Sequence, residues 1–273
     1  MITVLGSTGF IGNYIVNYLK QENIEFFAPP RDYIFTKEKK LGHVIYCIGL
    51  TADFREKPYE TIEAHVCKLL ELLKNGDFES LTYLSSTRLY LKSRSVDSRL
   101  NEGDDIVLNA NDSFDIFGAS KIAGELLLLN SGKPNVKIVR LSNVFGNDFH
   151  SNNFITSIVK DAIVSGKVKL QTTPDSSKDY IAIDDVCKAI IKLSYYRTSG
   201  IYNLTFGSNT TNEAITNEIA RLTGAEIIYS NTAKKIIFQE INNSKLSNEL
   251  GFRPSKSLIE GLPEIINSFS ANL

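Results

Sequence analysis

Short apolar runs alternate with longer amphipathic segments through the first two-thirds of the chain. The apolar runs have the length of strands and are hydrophobic almost throughout, a pattern typical of parallel strands covered on both faces. They read ITVL, IEFFAP, HVIYCIG, SLTYLSS and VKIVRLS, and they begin at residues 2, 24, 43, 80 and 136. Helical spacing of the apolar residues between them predicts helices over residues 10–21, Tyr59–Lys74 and Phe117–Asn130. This alternation predicts an α/β fold with a doubly wound parallel sheet.

The rhythm changes after residue 146, where helices predominate. Periodicity predicts short strands and longer helices there, at residues 167–170 and 200–204 and at residues 152–166, 184–196, 211–224 and 256–269. Asp184 is a suitable N-cap for the second of these helices. The chain therefore divides into a first domain over residues 1–146 and a smaller lobe over residues 147–273, partly interleaved with it. No Pro- or Gly-rich linker separates the two, which predicts one rigid cleft.

Composition excludes several classes of function. Hydrophobic residues make up 42% of the 273 residues, enough for a sizeable core, and the formal net charge of −1 gives no basic excess to attract nucleic acid. No apolar run approaches the roughly 20 residues that a membrane span needs, and the first residues lack the basic region of a signal peptide. The three cysteines and three histidines lack the spacing of metal ligands. We therefore expect a cytoplasmic protein with free thiols and with no membrane, nucleic-acid or metal partner.

A glycine-rich turn joins the first predicted strand to the first predicted helix. The stretch VLGSTGFIG places Gly6, Gly9 and Gly12 at this junction. Glycine permits a tight turn and lets a pyrophosphate approach bare backbone, while the N–H groups and dipole of the helix N-terminus attract the phosphates. A glycine triplet alone is weak evidence, but a position between a strand and a helix is the context that such a site requires. The turn predicts dinucleotide binding, against the alternative of a plain tight turn.

The end of the second predicted strand bears on which dinucleotide is bound. An acidic residue about 20 residues after the glycine turn would bind the adenosine ribose of NAD. The strand ends instead in APPRD, where the guanidinium of Arg31 suits the 2′-phosphate of NADP and the neighbouring Asp32 leaves NAD open. The alternative for Arg31 is a solvated loop residue or one that stacks on adenine. Residues 31–43 are too few for a further strand and helix, so this edge of the sheet is predicted to be abbreviated.

Six stretches, in this order, resemble motifs of the extended short-chain dehydrogenase/reductase family, which comprises nucleotide-sugar epimerases, dehydratases and ketoreductases. They are GSTGFIG, LSSTRLY, FGASK, RLSNVFG, SKDYIAIDDVCKAI and the C-terminal pair YNLTFG and NNSKLSNELGFRPSKSLIEGL. The likeness covers nearly the whole chain. It implies a Rossmann domain with a smaller substrate-binding lobe, and an NAD(P)-dependent oxidoreductase that acts on a nucleotide sugar.

The resemblance also implies roles for individual residues. Ser86 would hydrogen-bond the reacting carbonyl or hydroxyl group, and Lys121 would bind the nicotinamide ribose and lower the pKa of a neighbouring phenol. Asn143 and Lys178 would hold the diphosphate of the nucleotide sugar, with Lys178 standing where the family usually has Arg. Thr87 is a further implied substrate contact. The other implied cofactor contacts are Gly6, Thr8, Gly9, Phe10, Ile11, Gly12, Arg31, Cys47, Ile48, Gly49 and Ser85.

Several of these residues also have a purely structural interpretation. A Ser-Ser-Thr sequence after a strand is commonly a turn or an N-cap, and Asn143 is a common turn-forming type. Lys121 and Glu125 stand four residues apart on a predicted helix, so they could form a surface ion pair worth only a few tenths of a kcal/mol.

Phe117 stands where the family has its proton-transferring Tyr, four residues before Lys121 and on the same helical face. A carbonyl group that is reduced by hydride must gain a proton, and a phenyl ring has none to give. Loss of general acid–base catalysis typically slows a reaction by roughly 10²–10⁴-fold. Three explanations stay open: an engineered replacement of Tyr, a natural protein that binds NADP and a sugar nucleotide without chemistry, and an enzyme that uses another acid, such as Ser86 through water.

Among the reactions of the family, we expect reduction of a 4-keto nucleotide sugar. The short chain leaves little room for elaborated substrate loops, and Arg31 favours NADPH, the cofactor of net reduction. The family's dehydratases carry an Asp-Glu pair near the serine, where this chain has Thr87 and Arg88, so dehydration is not expected. NAD-dependent epimerisation stays the alternative. The resemblance further implies a homodimer formed through the helices at 59–74 and 117–130.

Overall fold

The computed structural model describes residues 1–51, 53–95, 97–149, 151 and 153–272. His150, one of the three histidines considered above, lies outside these residues. The strands are β1 (Ile2–Leu5), β2 (Phe26–Phe27), β3 (His43–Tyr46), β4 (Ser80–Ser86), β5 (Val136–Leu141), β6 (Asn143–Phe145), β7 (Lys167–Thr172), β8 (Ser177–Ala182), β9 (Gly200–Leu204), β10 (Asn209–Thr211) and β11 (Glu226–Lys234).

Helices cover the sheets. The α-helices are α1 (Phe10–Gln21), α2 (Pro58–Ile62), α3 (Lys68–Asn75), α4 (Asp115–Leu129), α5 (Phe154–Ser165), α6 (Ile183–Tyr195), α7 (Asn212–Thr223), α8 (Ser244–Leu250) and α9 (Leu258–Ala271). A π-helical turn, Glu63–Cys67, joins α2 to α3, so the helix predicted over 59–74 is continuous but irregular in its middle. A 3-10 helix, Thr87–Lys92, follows β4 directly. None of the described helices is long and apolar enough to cross a bilayer.

The central sheet confirms the predicted fold class. It has six strands in the order β2-β1-β3-β4-β5-β9, and every neighbouring pair is parallel. The chain order reverses direction between β1 and β3, and in such sheets ligands bind at this point, beyond the carboxyl ends of the strands. Strand β2 is two residues long, and no described strand lies outside it. The edge of the sheet is therefore as short as the sequence predicted.

Apolar residues cover both faces of this sheet, which explains why its strands are hydrophobic almost throughout. On one face, Ile15 of α1 and Val186 of α6 pack with Val139 of β5. On the other face, Leu69 of α3 and Leu128 of α4 pack with Ile138 of the same strand. Strands β1 and β5 are consequently buried along their whole length.

A second core lies in the C-terminal part of the chain. Helices α5, α7 and α9 enclose it together with β7 and β8, through side chains such as Val159, Ile219 and Leu262. Strand β8 also joins β6 and β10, and β7 pairs with β11.

Two features of the segment after residue 146 bear on the expectations. Strand β9 is the sixth strand of the central sheet, where residues 200–204 continue the parallel ladder beside β5, so this segment contributes to both parts of the fold. Asp184 was expected to cap α6, and this is wrong. Strand β8 passes into the helix through Ala182, which is the N-cap residue, and Asp184 lies in the first turn. Its carboxylate can still interact favourably with the helix dipole there.

Candidate functional site

The glycine turn between β1 and α1 lies against the end of β3. Gly6 has a φ of +79°, a conformation that favours glycine, and a Cβ atom there would lie 2.9 Å from both the carbonyl carbon of Cys47 and the nitrogen of Ile48. A Cβ atom on Gly12 would overlap the carbonyl oxygen of Gly6. Both glycines are therefore required by close approach of backbone to backbone, and they hold the start of α1 beside the carboxyl end of the sheet.

The first turn of α1 is open to an anion. Gly9 is the N-cap residue, no side chain caps the helix, and its first turn contains no acidic residue. A Cβ atom on Gly9 would meet only the carbonyl oxygen of Gly6, at an ordinary 3.5 Å, and Thr8 and Gly9 are both exposed. Uncapped N–H groups at the positive end of a helix dipole suit a phosphate. The turn thus fits the pyrophosphate of a dinucleotide, with Phe10 and Ile11 supplying backbone of the same turn.

The residues implied to select between NAD and NADP are solvated. Arg31 and Asp32 are exposed on the turn that follows β2. Neither side chain makes an ion pair with any residue that the structure describes. Arg31 is therefore free to meet a ligand, but the structure alone assigns it none.

Lys121 is buried between α4 and the end of β4. Its side chain is only 5% exposed, its Nζ donates a hydrogen bond of 2.8 Å to the carbonyl oxygen of Leu84, and the same atom lies 4.9 Å from the ring centre of Tyr83. Burial lowers the pKa of Lys121 to about 7, against the opposing charge of Glu125. A Cβ atom on Gly49 would lie 3.5 Å from Nζ, so the ammonium group borders the loop that continues β3.

Phe117 lies one turn before Lys121 and touches a buried histidine. The rings of Phe117 and His65 meet edge to face with centroids 5.5 Å apart, and Phe117 is 3% exposed. His65 Nε2 accepts a hydrogen bond of 3.3 Å from the backbone N–H of Leu50, which assigns the ring proton to Nδ1, 2.8 Å from Ser120 Oγ. Burial lowers the pKa of His65 to about 2, and the charge of Lys121 adds to the shift. His65 is consequently a neutral side chain that ties the loop after β3 to α4.

A second aromatic ring and an arginine cover the other side of Phe117. The ring of Phe54 lies 5.4 Å from that of Phe117, centroid to centroid. The guanidinium carbon of Arg88 lies 4.9 Å from the ring centre of Phe54 and 5.7 Å from that of Phe117. Burial and the nearby charge of Arg55 lower the pKa of Arg88. The position that the family gives to a tyrosine therefore lies inside a cluster of two phenyl rings, an imidazole and a guanidinium.

The two serines that end β4 make structural contacts. Ser86 caps the 3-10 helix, because its Oγ accepts a hydrogen bond of 3.1 Å from the backbone N–H of Arg88. Ser85 Oγ donates to Glu125 Oε1 at 2.5 Å. Its hydroxyl thus supports α4, and the role of Ser85 in lining a nicotinamide pocket stays a prediction. Thr87, the first residue of the 3-10 helix, is buried.

Glu125 does not form the surface ion pair with Lys121 that the spacing allowed. It is buried and pairs with Arg140 through two hydrogen bonds, of 2.7 Å from Nη2 and 3.1 Å from Nε. Arg140 also donates to the hydroxyl of Tyr90 at 2.7 Å. This alternative interpretation does not hold, because α4 packs its Glu125 face onto β4 and β5, where the buried carboxylate pairs with Arg140.

The two residues expected at the diphosphate lie on neighbouring strands. Asn143 of β6 is paired with Tyr180 of β8, and its exposed side chain donates a hydrogen bond of 2.8 Å to the carbonyl oxygen of Asp179. Lys178 lies on β8 with its Nζ 5.2 Å from the ring centre of Phe154. Burial and the charge of Arg88 lower the pKa of Lys178.

Sequence reasoning missed Phe54, His65 and Arg88 as residues around Phe117. Arg88 is visible in LSSTRLY, but the motif indicates only that it replaces a dehydratase acid. Its approach to Phe117 depends on the 3-10 helix that Ser86 caps, and the hydrophobic periodicity of the sequence does not predict that helix. His65 and Phe54 lie more than 50 residues before Phe117, so only the tertiary fold brings them there.

Comparisons with known proteins identify a family and relatives that this chain resembles. A family model described as the NAD dependent epimerase/dehydratase family matches residues 2–205. The subunit 9 of the NADH dehydrogenase [ubiquinone] 1 alpha subcomplex, mitochondrial, from Dictyostelium discoideum is 30% identical over 155 residues. This match covers 54% of the present chain and 43% of that relative, so the chain spans less than half the length of the curated relative it matches.

Solved structures share the fold over the whole chain. The complex of MoeE5 with UDP-glucose and NAD superposes with a TM-score of 0.82 at 19% identity, covering 99% of each chain. TunA, described as an NAD-dependent NDP-hexosamine 5,6-dehydratase, superposes with a TM-score of 0.84 at 14% identity, covering 99% of this chain and 97% of the other. At these identities the likeness establishes the fold, while the family model spans most of the sequence. The chain therefore belongs to the NAD-dependent epimerase/dehydratase family.

Proposed function

We propose that the chain binds a nicotinamide dinucleotide, NADP in preference to NAD, and reduces a 4-keto nucleotide sugar beside Phe117, at a rate limited by the absence of a phenol. One observation carries the proposal, the continuity of the contacts that run from the glycine turn to Phe117. Gly6 abuts Cys47 and Ile48 at the end of β3, Gly49 borders Lys121, and Lys121 lies one turn from Phe117 on α4. A cofactor site and a reaction site are thus adjacent.

Each part of this surface has a distinct task in the proposal. A dinucleotide bound at the turn would supply the hydride. The N–H groups at the start of α1 hold its pyrophosphate, and the ammonium group of Lys121 hydrogen-bonds its ribose and adds positive charge beside the reacting oxygen. Asn143 and Lys178 bind the diphosphate of the sugar substrate in this proposal. A nucleotide sugar and a dinucleotide are bound together in the complex of MoeE5, which shares the fold, with UDP-glucose and NAD.

Proton transfer to the substrate is the step that we expect to be slow. Phe117 has no exchangeable proton, and His65, which touches its ring, is held neutral with its single proton directed at Ser120. Ser86 Oγ is occupied as a cap but retains its own O–H group. We infer that Phe117 slows the reaction by the roughly 10²–10⁴-fold that general acid–base catalysis contributes.

The decisive variant is Phe117→Tyr. We expect it to raise the rate of NADPH oxidation with 4-keto nucleotide sugars by roughly 10²–10⁴-fold. Phe114→Tyr is the matched control, since it adds the same hydroxyl three residues earlier on an exposed ring and should leave the rate unchanged. Adding Lys121→Met to Phe117→Tyr should abolish most of the gain. If Phe117→Tyr stays silent on a broad panel of 4-keto sugars and has no epimerase activity, the reductase proposal fails.

A second candidate is a natural protein that binds NADP and a sugar nucleotide without chemistry. The close packing of Phe117 against Phe54, His65 and Arg88 favours it, because the phenyl ring is integrated into a cluster that surrounds it on several sides. Calorimetry combined with the rate assay separates the candidates. Both require NADPH and nucleotide-sugar binding by the wild-type chain, but only the enzyme gains turnover in Phe117→Tyr.

We also propose a homodimer formed through α2, α3 and α4. Tyr59 at the start of this surface is 86% exposed, and Leu126 and Leu129 of α4 are 54% and 48% exposed. Apolar side chains this exposed on adjacent helices suit an interface. Light scattering after gel filtration should give twice the mass of 30.4 kDa, and Leu126→Lys should halve it.

A further inference from the structure

The guanidinium of Arg88 has no anionic partner in the part of the chain that the structure describes. No described side chain forms an ion pair with it, and no described acceptor takes a hydrogen bond from it. Arg88 is partly buried between the rings of Phe54 and Phe117. A guanidinium carries five N–H donors in its plane, and stacking on aromatic faces leaves all of them unused. None of its nitrogen atoms is among the buried polar atoms that lack a partner in the described structure, so they stay open to solvent. An anion that supplies acceptors there would form charge-assisted hydrogen bonds with them.

Two further cations lie near Arg88, and neither has an acidic partner among the described residues. The guanidinium carbon of Arg55 lies 4.4 Å from the ring centre of Phe114 and 5.7 Å from that of Phe54, the ring that Arg88 also contacts. The charge of Arg88 also contributes to the lowered pKa of Lys178 on β8. Two guanidinium groups therefore lie over the ring of Phe54.

Two carboxylates whose charge acts on Arg88, those of Asp112 and Asp115, form their ion pairs with Lys92 and none with Arg88. Asp112 and Asp115 accept hydrogen bonds of 2.7 Å and 2.6 Å from Lys92 Nζ. Asp112 also accepts from the backbone N–H of Phe114, and Asp115 from that of Asn109. These contacts fix the segment before α4 and leave Arg88 without a direct counter-ion.

The position of Arg88 decides which part of a ligand it would meet. It follows Ser86 by two residues and touches the ring of Phe117, so it lies where the proposed function puts the reacting sugar ring. The diphosphate belongs, in that function, to Asn143 and Lys178 on β6 and β8. An anion at Arg88 would thus be a substituent of the sugar itself.

We propose that Arg88, assisted by Arg55, binds a carboxylate carried by the sugar ring, so that the substrate is a nucleoside-diphosphate-linked sugar acid. The planar fork of the guanidinium pairs with a carboxylate through two parallel hydrogen bonds, which a neutral hydroxymethyl group cannot match. This inference rests on the proposed function and deepens it by naming the class of substrate.

Matched pairs of ligands test the inference. Calorimetry in the presence of NADP compares UDP-glucuronic acid with UDP-glucose, dTDP-glucuronic acid with dTDP-glucose, and GDP-mannuronic acid with GDP-mannose. In the base series that binds, we expect the acid to bind roughly 10- to 100-fold more tightly than the neutral sugar. Arg88→Gln should weaken binding of the acid far more than binding of the neutral sugar and so remove this preference, whereas Arg88→Lys should retain part of it.

Arg99→Gln is the control, because it removes the same charge from an exposed arginine that pairs with Glu240. It should keep the full preference, and unchanged NADP affinity verifies that each variant is folded. Equal binding of acid and neutral sugar by the wild-type chain overturns the inference but not the proposed function. An equal loss for both ligands in Arg88→Gln also overturns it, since Arg88 would then hold the diphosphate. Failure of every nucleotide sugar to bind overturns the proposed function itself. If Arg88→Gln does not fold, the wild-type ratio and Arg88→Lys decide.

Discussion

The imidazole of His65 stands edge-on to the ring of Phe117, with the two ring planes at 85°. Its two nitrogen atoms connect the backbone of Leu50, after β3, to the hydroxyl of Ser120 on α4. Ser120 in turn donates to the carbonyl oxygen of Phe117 at 2.8 Å. One neutral side chain thus fixes the loop beside the glycine turn to the helix that carries Phe117 and Lys121.

The neutrality of His65 makes the stability of the fold depend on pH. Its pKa is about 2 in the folded chain and near the ordinary 6.5 when unfolded. Between these values the unfolded state binds the extra proton, so the free energy of unfolding falls as pH falls below 6.5. We expect His65 to contribute a loss of about 2 kcal/mol between pH 7 and pH 5. Urea unfolding at several pH values measures it.

His65→Gln isolates this contribution from that of the carboxylates. An amide retains a donor and an acceptor but does not titrate in this range, so the variant should lose less stability between pH 7 and pH 5 than the wild-type chain. His43→Gln is the comparison variant. Burial also lowers the pKa of His43, but its side chain is 20% exposed, so its replacement should change the pH dependence of stability less than His65→Gln does. Identical pH profiles for wild type and His65→Gln would refute a buried neutral imidazole.

The ion pair of Glu125 and Arg140 is the charged contact on which the packing of α4 depends. Both side chains are less than 5% exposed, and Glu125 also accepts a hydrogen bond from Ser85. Glu125→Gln leaves the guanidinium of Arg140 buried without its counter-charge, which typically costs about 3–5 kcal/mol. Chemical denaturation should record a loss of this size. Glu226→Gln, which breaks the exposed pair with Lys167, should leave the unfolding curve nearly unchanged, and an equal effect of both variants would contradict the prediction.

The sheet and the glycine turn could be predicted from the sequence because both depend on local signals. Continuous apolar runs mark buried parallel strands, and glycines between a strand and a helix mark a turn whose steric need the structure confirms at Gly6 and Gly12. Phe117 and Lys121 could be placed on one face because helical spacing is fixed.

The environment of Phe117 could not be predicted, because it depends on side chains from distant segments. The spacing of Glu125 and Lys121 allowed a surface ion pair, and the sequence does not show that Arg140 of β5 pairs with Glu125 instead. The sequence of β9 likewise does not show that β5 is its hydrogen-bonding partner, because a five-residue apolar run can pair with any strand. The lack of an ion pair at Arg88 likewise depends on Lys92, which binds Asp112 and Asp115, an arrangement that only three-dimensional packing determines.

Two variants of the glycine turn distinguish its role in the stability of the fold from its role in dinucleotide binding. Gly9→Ser introduces a favoured N-cap whose hydroxyl accepts from the N–H groups that a phosphate needs. We expect the free energy of unfolding to stay the same or to rise by up to about 1 kcal/mol, and the dinucleotide affinity to fall at least roughly tenfold.

Gly12→Ala places a methyl group against the carbonyl oxygen of Gly6. It should lower the free energy of unfolding by about 1–3 kcal/mol and weaken dinucleotide binding as well. Thermal melting and calorimetry measure the two properties. Gly103→Ala adds a methyl group where no atom lies within 4 Å and should change neither; unaltered dinucleotide affinity in Gly9→Ser would place the pyrophosphate elsewhere.

Arg31 governs the choice between the two dinucleotides if the proposed cofactor is correct. Its guanidinium is exposed and unpaired within the described chain, at the end of the short strand β2. A charge-assisted contact with the 2′-phosphate is typically worth about 1.5–3 kcal/mol, so Arg31→Ala should weaken NADPH binding roughly 10- to 100-fold and leave NADH binding unchanged. Asp32→Asn should strengthen NADPH binding, because it removes a negative charge beside the 2′-phosphate. Lys160→Ala removes an exposed cation from α5 and should not alter the ratio of the two affinities. Tighter binding of NADH than of NADPH by the wild-type chain, with no change in Arg31→Ala, would mean that the abbreviated sheet edge accommodates NAD and that Arg31 is a solvated loop residue.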